Sequence, residues 1–105
     1  MGLAIQFTKR ALADLDSIRA YLTDRSPRGA ERVRRAIVAT VEHCAEFPLT
    51  GLKTNRPGVM RLPLHRYSFT IFYRLPADGE TLEVLRILRS GRVKSLRKAP
   101  DVPPG

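Results

Sequence analysis

The spacing of apolar residues changes once along this chain of 105 residues, and that change limits the folds it can adopt. From Thr8 to about Phe47, apolar side chains recur every three or four residues, which is the spacing of one face of an α-helix. From Val59 to Leu88, they alternate along the chain or form a short apolar run, which is typical of β-strands. The chain therefore combines a helical part with a strand-rich part.

Two helices are predicted in the first part, with boundaries set by capping residues. Thr8 can act as the N-cap of a first helix that runs to about Arg25. Ser26 followed by Pro27 begins a second helix, because serine is a preferred N-cap and proline lacks only an N–H that would be unsatisfied there. The predicted buried stripes are Leu12, Leu15, Ile18 and Leu22, with Ala11 and Tyr21 beside them, in the first helix and Ala30, Val33, Ile37, Val41 and Cys44 in the second. So short a connection predicts an antiparallel helical hairpin.

Four strands are predicted around this hairpin, in the order β-α-α-β-β-β. The first contains Leu3, Ile5 and Phe7, residues 51–58 form a loop, and a turn at His65-Arg66 joins the next two strands. The last strand is apolar on both faces and is expected to be central. We expect an α+β fold with the hairpin packed on one face of a mostly antiparallel four-stranded sheet, and the other face only partly covered. Residues 1–98 would form one domain, and residues 99–105 a flexible Pro-rich tail.

The chain is strongly basic, with a formal net charge of +9, and the charge is uneven. Residues 1–50 hold eight basic and six acidic side chains, whereas residues 51–105 hold eleven and four. No acid interrupts the stretch that contains Arg86, Arg89, Arg92, Lys94, Arg97 and Lys98. This balance favours an anionic partner such as nucleic acid or an acidic protein.

The single cysteine, Cys44, suits a reducing compartment, and its place on the helical stripe predicts core packing. No signal peptide pattern or long apolar stretch is recognised, so a cytoplasmic protein without membrane contact is expected. Asp14 and Asp16 are interpreted as favourable charges near a helix N-terminus. One Cys and two separated His do not form a zinc site, and no phosphate-binding glycine loop occurs, so we expect no metal and no cofactor.

One catalytic chemistry fits a basic sheet, namely RNA cleavage without a metal ion. It needs a group to take the 2′-hydroxyl proton, cations to hold the phosphate, and a group to protonate the leaving oxygen. The candidate catalytic residues for such an endoribonuclease are Arg61, Arg74, Arg86 and His65, with Arg89 as a further phosphate holder and Tyr67 and Tyr73 as alternative proton carriers. Core packing is the competing interpretation of both tyrosines.

The order of short motifs resembles the ParE/RelE superfamily of toxins from bacterial type II toxin–antitoxin pairs. The resemblance covers about residues 3–92. It rests on the segments Phe7-Thr8, Asp14-Leu15, Ser26-Pro27, Phe47-Pro48-Leu49-Thr50-Gly51, Val59-Met60-Arg61-Leu62-Pro63, Tyr67 to Arg74 and Val84 to Leu88 with Arg92. It implies the same α+β architecture that the periodicity predicts.

The superfamily divides by target. RelE-like members cleave mRNA on the ribosome and usually carry a Tyr or His near the C-terminus, but nothing aromatic follows Tyr73 here. ParE-like members poison DNA gyrase without such a catalytic set, and the helical hairpin is more similar to theirs. The resemblance therefore implies a ParE-like toxin that is not an enzyme, with Arg86, Arg89, Arg92 and Lys94 as target-binding residues. Two alternatives remain open: a ribosome-dependent endoribonuclease, and a degenerate toxin or non-enzymatic nucleic-acid-binding module.

The resemblance also implies a partner. Toxins of this superfamily are held inactive in hetero-oligomers by an antitoxin encoded beside them, here a ParD-like and acidic one, through which operator DNA would be contacted. Such pairs arrest growth and stabilise plasmids. A chain of charge +9 suits an acidic partner, because complementary charge speeds association. The antitoxin is expected in a groove along the helical hairpin or at a sheet edge.

Overall fold

A computed structural model describes residues 2–64, 66–75 and 78–89. In chain order its elements are β1 (Ala4–Phe7), α1 (Lys9–Thr23), α2 (Pro27–Glu46), β2 (Leu52–Lys53), β3 (Val59–Leu64), β4 (Phe69–Arg74) and β5 (Thr81–Arg89). The α+β class and the helical hairpin are confirmed. His65, Arg92, Lys94 and the predicted tail 99–105 lie outside the described residues.

Both helices begin where their capping residues predict. The Thr8 hydroxyl accepts a hydrogen bond from the Ala11 N–H at 3.0 Å, and the Ser26 hydroxyl accepts one from the Gly29 N–H at 3.1 Å. Pro27 is the first residue of α2. A side-chain cap of this kind stabilises a helix by about 1 kcal/mol, because it satisfies a backbone donor that has no partner within the helix.

Within the described residues the sheet has five strands, in the order β1-β5-β4-β3-β2, and not the predicted four. The additional strand, β2, is only Leu52–Lys53, inside the predicted loop; it pairs antiparallel with β3. Two residues are too few to show a period of two, which is why the pattern missed it. The pairing of β1 with β5 is parallel and the other pairings are antiparallel. β5 lies inside the sheet as its apolar faces predict, although the middle strand is β4.

The turn between β3 and β4 is longer than predicted. β4 begins at Phe69, so Tyr67 belongs to the turn and not to the strand. Ser68 has φ 57°, a left-handed conformation that ends strand geometry and that side chains other than glycine adopt rarely. Tyr67 is nevertheless half-buried against the main core.

The main core lies between the hairpin and one face of the sheet. Ile37, Val41 and Cys44 of α2 are buried against Ile71 and Val84 of the sheet, together with other residues of the cluster. The predicted core role of Cys44 is confirmed, and burial raises the pKa of its thiol. On α1 the prediction for Leu12 was wrong, because Leu12 is half-exposed and its neighbour Ala11 is fully buried instead.

The opposite face of the sheet carries a smaller apolar cluster. Val59, Phe72 and Leu85 are buried there, with Leu88 packed beside them. Three neighbouring strands contribute, since Val59 lies on β3, Phe72 on β4 and Leu85 on β5. The second face is thus apolar at its centre.

Tyr73 joins the sheet to the segment that leaves α2. Its side chain is fully buried, its hydroxyl donates to the Pro48 carbonyl oxygen at 2.8 Å, and it accepts from the Gly51 N–H at 2.9 Å. The phenol therefore satisfies two backbone groups of the connection between α2 and β2. Core packing, the simpler interpretation of Tyr73 in the sequence, is confirmed.

Alkaline pH should destabilise the fold through Tyr73. Burial raises the pKa of this phenol from 10 to about 12, so the folded state holds its proton over a range in which the unfolded state has lost it. The stabilisation is complete below pH 10 and is lost as the pH rises to about 12, a fall of about 2–3 kcal/mol in the free energy of unfolding. Urea unfolding across this range measures it. Tyr73→Phe should show a shallower decline, and an equally steep one would contradict the assignment.

Candidate functional site

The first half of β5 is covered by β1, and the second half is not. β1 pairs with β5 from Thr81 to Val84, so among the described residues no strand pairs with the backbone of β5 beyond Val84 on that side. Helix α1 takes the place of the missing strand. The Thr8 hydroxyl donates to the Leu85 carbonyl oxygen at 2.9 Å, and the Asp14 carboxylate accepts from the Ile87 N–H at 3.0 Å.

Asp14 also binds Arg86 in a two-point ion pair. The Arg86 Nε and Nη2 atoms donate to the two carboxylate oxygens at 2.8 and 3.0 Å, and only 15% of each side chain is exposed. This contact raises the pKa of the Arg86 guanidinium. The interpretation of Asp14 as a charge near a helix N-terminus was wrong, since the first turn of α1 contains no acidic residue.

A pocket of about 280 Å³ lies between α1 and β5, next to this ion pair. Its lining residues are Asp14, Ser17, Ile18, Tyr21, Phe69, Arg86, Ile87, Leu88 and Arg89. We call it the α1–β5 pocket. Two of the four predicted target-binding residues, Arg86 and Arg89, therefore meet here, and the other two, Arg92 and Lys94, lie outside the described residues.

The ring of Tyr21 forms cation–π contacts with two arginines at this pocket. The guanidinium carbons of Arg25 and Arg89 lie 4.4 and 4.2 Å from the centre of its ring, and the ring side chain is 40% exposed. Attraction between a guanidinium and a ring face stabilises such contacts by about 0.5–1 kcal/mol at exposed sites. Tyr21 and Arg25 are four residues apart in the helix that the sequence predicts, and this spacing could have indicated the first contact, although α1 itself ends at Thr23. Nothing local predicts the second contact.

The remaining predicted catalytic residues lie elsewhere on the sheet. Arg61 is opposite Phe72 in the β3–β4 register, which places it on the face of the smaller apolar cluster. Arg74 is held by Glu83 through two guanidinium nitrogens, one of them Nε at 3.1 Å. The Nε atom of Arg61 is buried and has no hydrogen-bond partner among the residues that the structure describes.

The predicted phosphate holders are thus already engaged in part. Arg74 and Arg86 each bind a carboxylate on the chain itself, and His65 lies outside the described residues. An arginine that is neutralised by a carboxylate attracts phosphate less strongly than a free one. What the α1–β5 pocket offers is Arg89, a phenol ring and apolar surface, a combination typical of binding to another macromolecule.

Two further observations concern other kinds of site. Among residues 2–64, 66–75 and 78–89, no group of three or more His, Cys, Asp or Glu side chains is placed to hold a metal ion. In the same part of the chain, neither helix is both long and apolar enough to cross a membrane.

Comparison with known proteins identifies a family of toxins. The family model described as ParE toxin of type II toxin-antitoxin system, parDE, matches residues 5–94. A curated protein of Sinorhizobium fredii (strain NGR234), named "Putative toxin Y4kP", is 36% identical over 81 residues, which is 77% of this chain and 84% of that protein.

Solved structures place the fold in the same group. A structure of the chromosomal ParDE system from P. aeruginosa matches with a TM-score of 0.69 at 30% identity, over 83% of this chain and 95% of that one. The RelBE2 complex from Mycobacterium tuberculosis matches with a TM-score of 0.60 at 21% identity, over 85% and 99%. A mutant of E. coli toxin RelE in the free state matches with a TM-score of 0.61 at 14% identity, over 90% of each chain, which shows a shared fold only. This chain belongs to the ParE toxin family of type II toxin–antitoxin systems.

Proposed function

We propose that this toxin arrests growth by poisoning DNA gyrase and that a ParD-like antitoxin neutralises it. The observation that carries the proposal is the closed ion pair between Arg86 and Asp14. A nuclease of the RelE kind would need Arg86 to hold phosphate. Here the Arg86 guanidinium binds the carboxylate of Asp14, which lies 72 residues away in the chain. Inhibition through protein contact needs no such free group.

The mechanism derived from the site is one of binding. Arg89 and the Tyr21 ring form a basic and aromatic surface, and aromatic residues and arginine are the types most enriched in the centres of protein interfaces. Arg86 positions the end of β5 through Asp14, and Arg89, Arg92 and Lys94 would contact the target. A protein that acts this way must bind the DNA-cleaved state of gyrase more tightly than the resting state, because a ligand shifts an equilibrium only by its difference in affinity.

We further propose that the antitoxin is acidic and forms a hetero-oligomer with this chain. Charge complementarity supports this, since the toxin carries +9. Loss of the antitoxin would release the toxin, which is how such a pair would retain a plasmid. In this proposal operator DNA is contacted through the antitoxin and not by the toxin.

The direct test is a DNA supercoiling reaction with purified gyrase and toxin separated from its antitoxin. Loss of supercoiling together with trapped cleaved DNA is expected. Arg89→Ala should reduce trapped cleavage by about tenfold, because a charged interface residue contributes roughly 1–2 kcal/mol. Lys53→Ala is the matched control, since it removes one exposed positive charge from β2 at the opposite edge of the sheet. Equal loss of activity in both variants would contradict the placement of the target surface.

One observation favours a second candidate function. The buried Nε of Arg61, which has no partner within the described part of the chain, is a donor that a bound phosphate would satisfy. Phosphate binding by arginine is what a ribosome-dependent mRNA endoribonuclease would need. Growth arrest with normal supercoiling and with cleaved mRNA on ribosomes would establish this alternative. Arg61→Ala should then abolish mRNA cleavage.

A further inference from the structure

Three arginines form a row on the outer surface of α2. Arg28, Arg32 and Arg35 are four and three residues apart, so at about 100° per residue they lie within about 60° of one another around the helix axis. All three are exposed, with 73% of the Arg35 side chain open to solvent. We call them the arginine row. It is separate from the α1–β5 pocket, which none of the three residues lines.

The arginine row lies on the side of α2 that faces away from the sheet. The buried stripe of the helix, from Ala30 through Val33, Ile37 and Val41 to Cys44, is centred about 180° from the row around the axis. A helix that packs through one stripe leaves the opposite side to solvent. The packing of α2 on the sheet therefore does not require these arginines.

Glu31 lies beside the row, and its charge is neutralised within the helix. Its carboxylate accepts from Nε and Nη2 of Arg34 at 3.1 and 2.8 Å and from Nε of Arg35 at 3.3 Å. The hydrogen bonds from Arg34 and Arg35 lower the pKa of the Glu31 carboxyl to about 2. Arg28 and Arg32 form no ion pair with any residue that the structure describes. These two guanidinium groups are thus available to an anion.

The positive charge of this face ends halfway along α2. Residues 28–35 hold four arginines and one glutamate, a net charge of +3. Glu42 and Glu46 are exposed on the same side further along the helix and reverse the sign there. An extended anion is attracted by the first half of this face and repelled by the second. It must therefore cross α2 near its start, where the row extends over about 10 Å at about 1.5 Å per residue.

The other side chains of this face limit the kind of anion that fits it. Protein interfaces depend on a few apolar or aromatic side chains that are buried at their centre. Residues 27–39 contain no aromatic residue, and no large apolar side chain among them is exposed. Single-stranded nucleic acid needs rings on which its bases stack, and this face has none to offer. An acidic protein and a single strand both lack their usual anchors here.

The phosphate backbone of duplex DNA fits the row without any such anchor. Arginine side chains bind phosphate oxygens directly, and these contacts supply most of the affinity of proteins that bind DNA without sequence preference. Phosphates of one strand follow one another at about 3.4 Å along the duplex axis, so a row of about 10 Å can contact about three of them.

We propose that the arginine row binds the phosphate backbone of duplex DNA without sequence preference and holds the toxin on the DNA segment that gyrase cleaves. Phosphate contacts position a protein but carry no sequence information, so recognition of the operator stays with the antitoxin. The link to gyrase rests on the proposed function. The DNA contact itself does not, because α2 makes it and the α1–β5 pocket takes no part.

The test measures binding of the full-length toxin, freed from its antitoxin, to a labelled duplex of mixed sequence. R28A/R32A removes two charges of the row, and the matched control K9A/K53A removes two exposed charges at the start of α1 and on β2. At about 50 mM salt we expect the Kd to rise about tenfold or more for R28A/R32A and less than about threefold for K9A/K53A. Both variants should keep the native thermal midpoint, because the altered side chains are exposed.

The salt dependence of the Kd counts the phosphates that the row contacts. On duplex DNA, log Kd rises with log salt by a slope of about 0.9 for each contacted phosphate. R28A/R32A should therefore lower this slope by about 2, whereas K9A/K53A should leave it nearly unchanged. R28K/R32K keeps both charges and should keep the native slope.

The DNA measurements stand apart from the gyrase target. An equal Kd and an equal slope for R28A/R32A and K9A/K53A would overturn the DNA contact, even if the toxin poisons gyrase. Tighter binding to a single-stranded RNA of the same length than to the duplex would overturn it as well. If R28A/R32A kept its DNA affinity and lost affinity for the antitoxin, the row would be a protein interface and the inference would be wrong. Selective loss of DNA affinity in R28A/R32A would support it, even if supercoiling is unaffected.

The link to gyrase has its own measurement. If the toxin poisons gyrase, R28A/R32A should trap less cleaved DNA than K9A/K53A while binding gyrase alone with native affinity. Native levels of trapped cleavage in R28A/R32A would overturn the placement of the row on the DNA that gyrase holds.

Discussion

Asp14→Ala is expected to lower the free energy of unfolding by about 3–5 kcal/mol, the largest effect expected of a single substitution here. The change removes both carboxylate contacts of Arg86 and leaves that guanidinium 15% exposed and without its ion-pair partner. It also removes the acceptor of the Ile87 N–H. Chemical denaturation with a native-protein reference measures the loss.

Asp16→Ala is the matched control for this prediction. Asp16 lies on the same helix, but its side chain is 77% exposed and its contact with Arg19 is 3.9 Å long. Removing such a surface pair should change stability by less than about 0.5–1 kcal/mol. Asp14→Asn should fall between the two, because an amide oxygen can still accept from Ile87. Similar stabilities for Asp14→Ala and Asp16→Ala would show that the buried pair does not hold α1 to β5.

Gly51→Ala is expected to cost about 3–4 kcal/mol. A β-carbon at this position would lie 2.9 Å from Cε1 of the Tyr73 ring and 3.0 Å from the Arg61 carbonyl oxygen. Relief of that overlap would displace the buried phenol and break its hydrogen bonds to Pro48 and Gly51. The two lost bonds cost about 1 kcal/mol each, in addition to about 1–2 kcal/mol of packing strain. Thermal unfolding and denaturant unfolding both measure this loss.

Two variants define the origin of the Gly51 effect. Thr50→Ala changes an exposed neighbour in the same segment and should be nearly neutral. The double variant G51A/Y73F should be less destabilised than the sum of its single variants, because removal of the hydroxyl relieves part of the overlap. Strict additivity would mean that the alanine acts through the backbone and not through Tyr73.

These two contacts bear on function in different ways. The contact of Tyr73 with the segment after α2 supports the fold. The contact of Asp14 with Arg86 engages an arginine that a nuclease would need free, while Arg89 stays on the exposed ring of Tyr21. Under the proposed function, the pairing of individual arginines would distinguish a gyrase poison from a nuclease built on the same fold.

Much of the architecture was predictable because its causes are local. The caps at Thr8 and Ser26 act within three residues of chain, and the apolar periods that define α2, β3, β4 and β5 need no knowledge of distant residues. The family resemblance came from the order of these same elements. The prediction failed where the local signal was short or ambiguous, as at β2, with its two residues, and at Leu12, whose place on the α1 stripe did not lead to burial.

The candidate site was not predictable in the same way, because its contacts join residues that are far apart in the chain. Asp14 meets Arg86 and Ile87 only because β1 pairs in parallel with the first half of β5 and then stops, which brings α1 against the second half. Tyr21 meets Arg89 for the same reason. Composition and spacing therefore established a basic chain with this fold. The packing of α1 on β5 determines that Arg86 is neutralised by a carboxylate and that Arg89 stays at the surface.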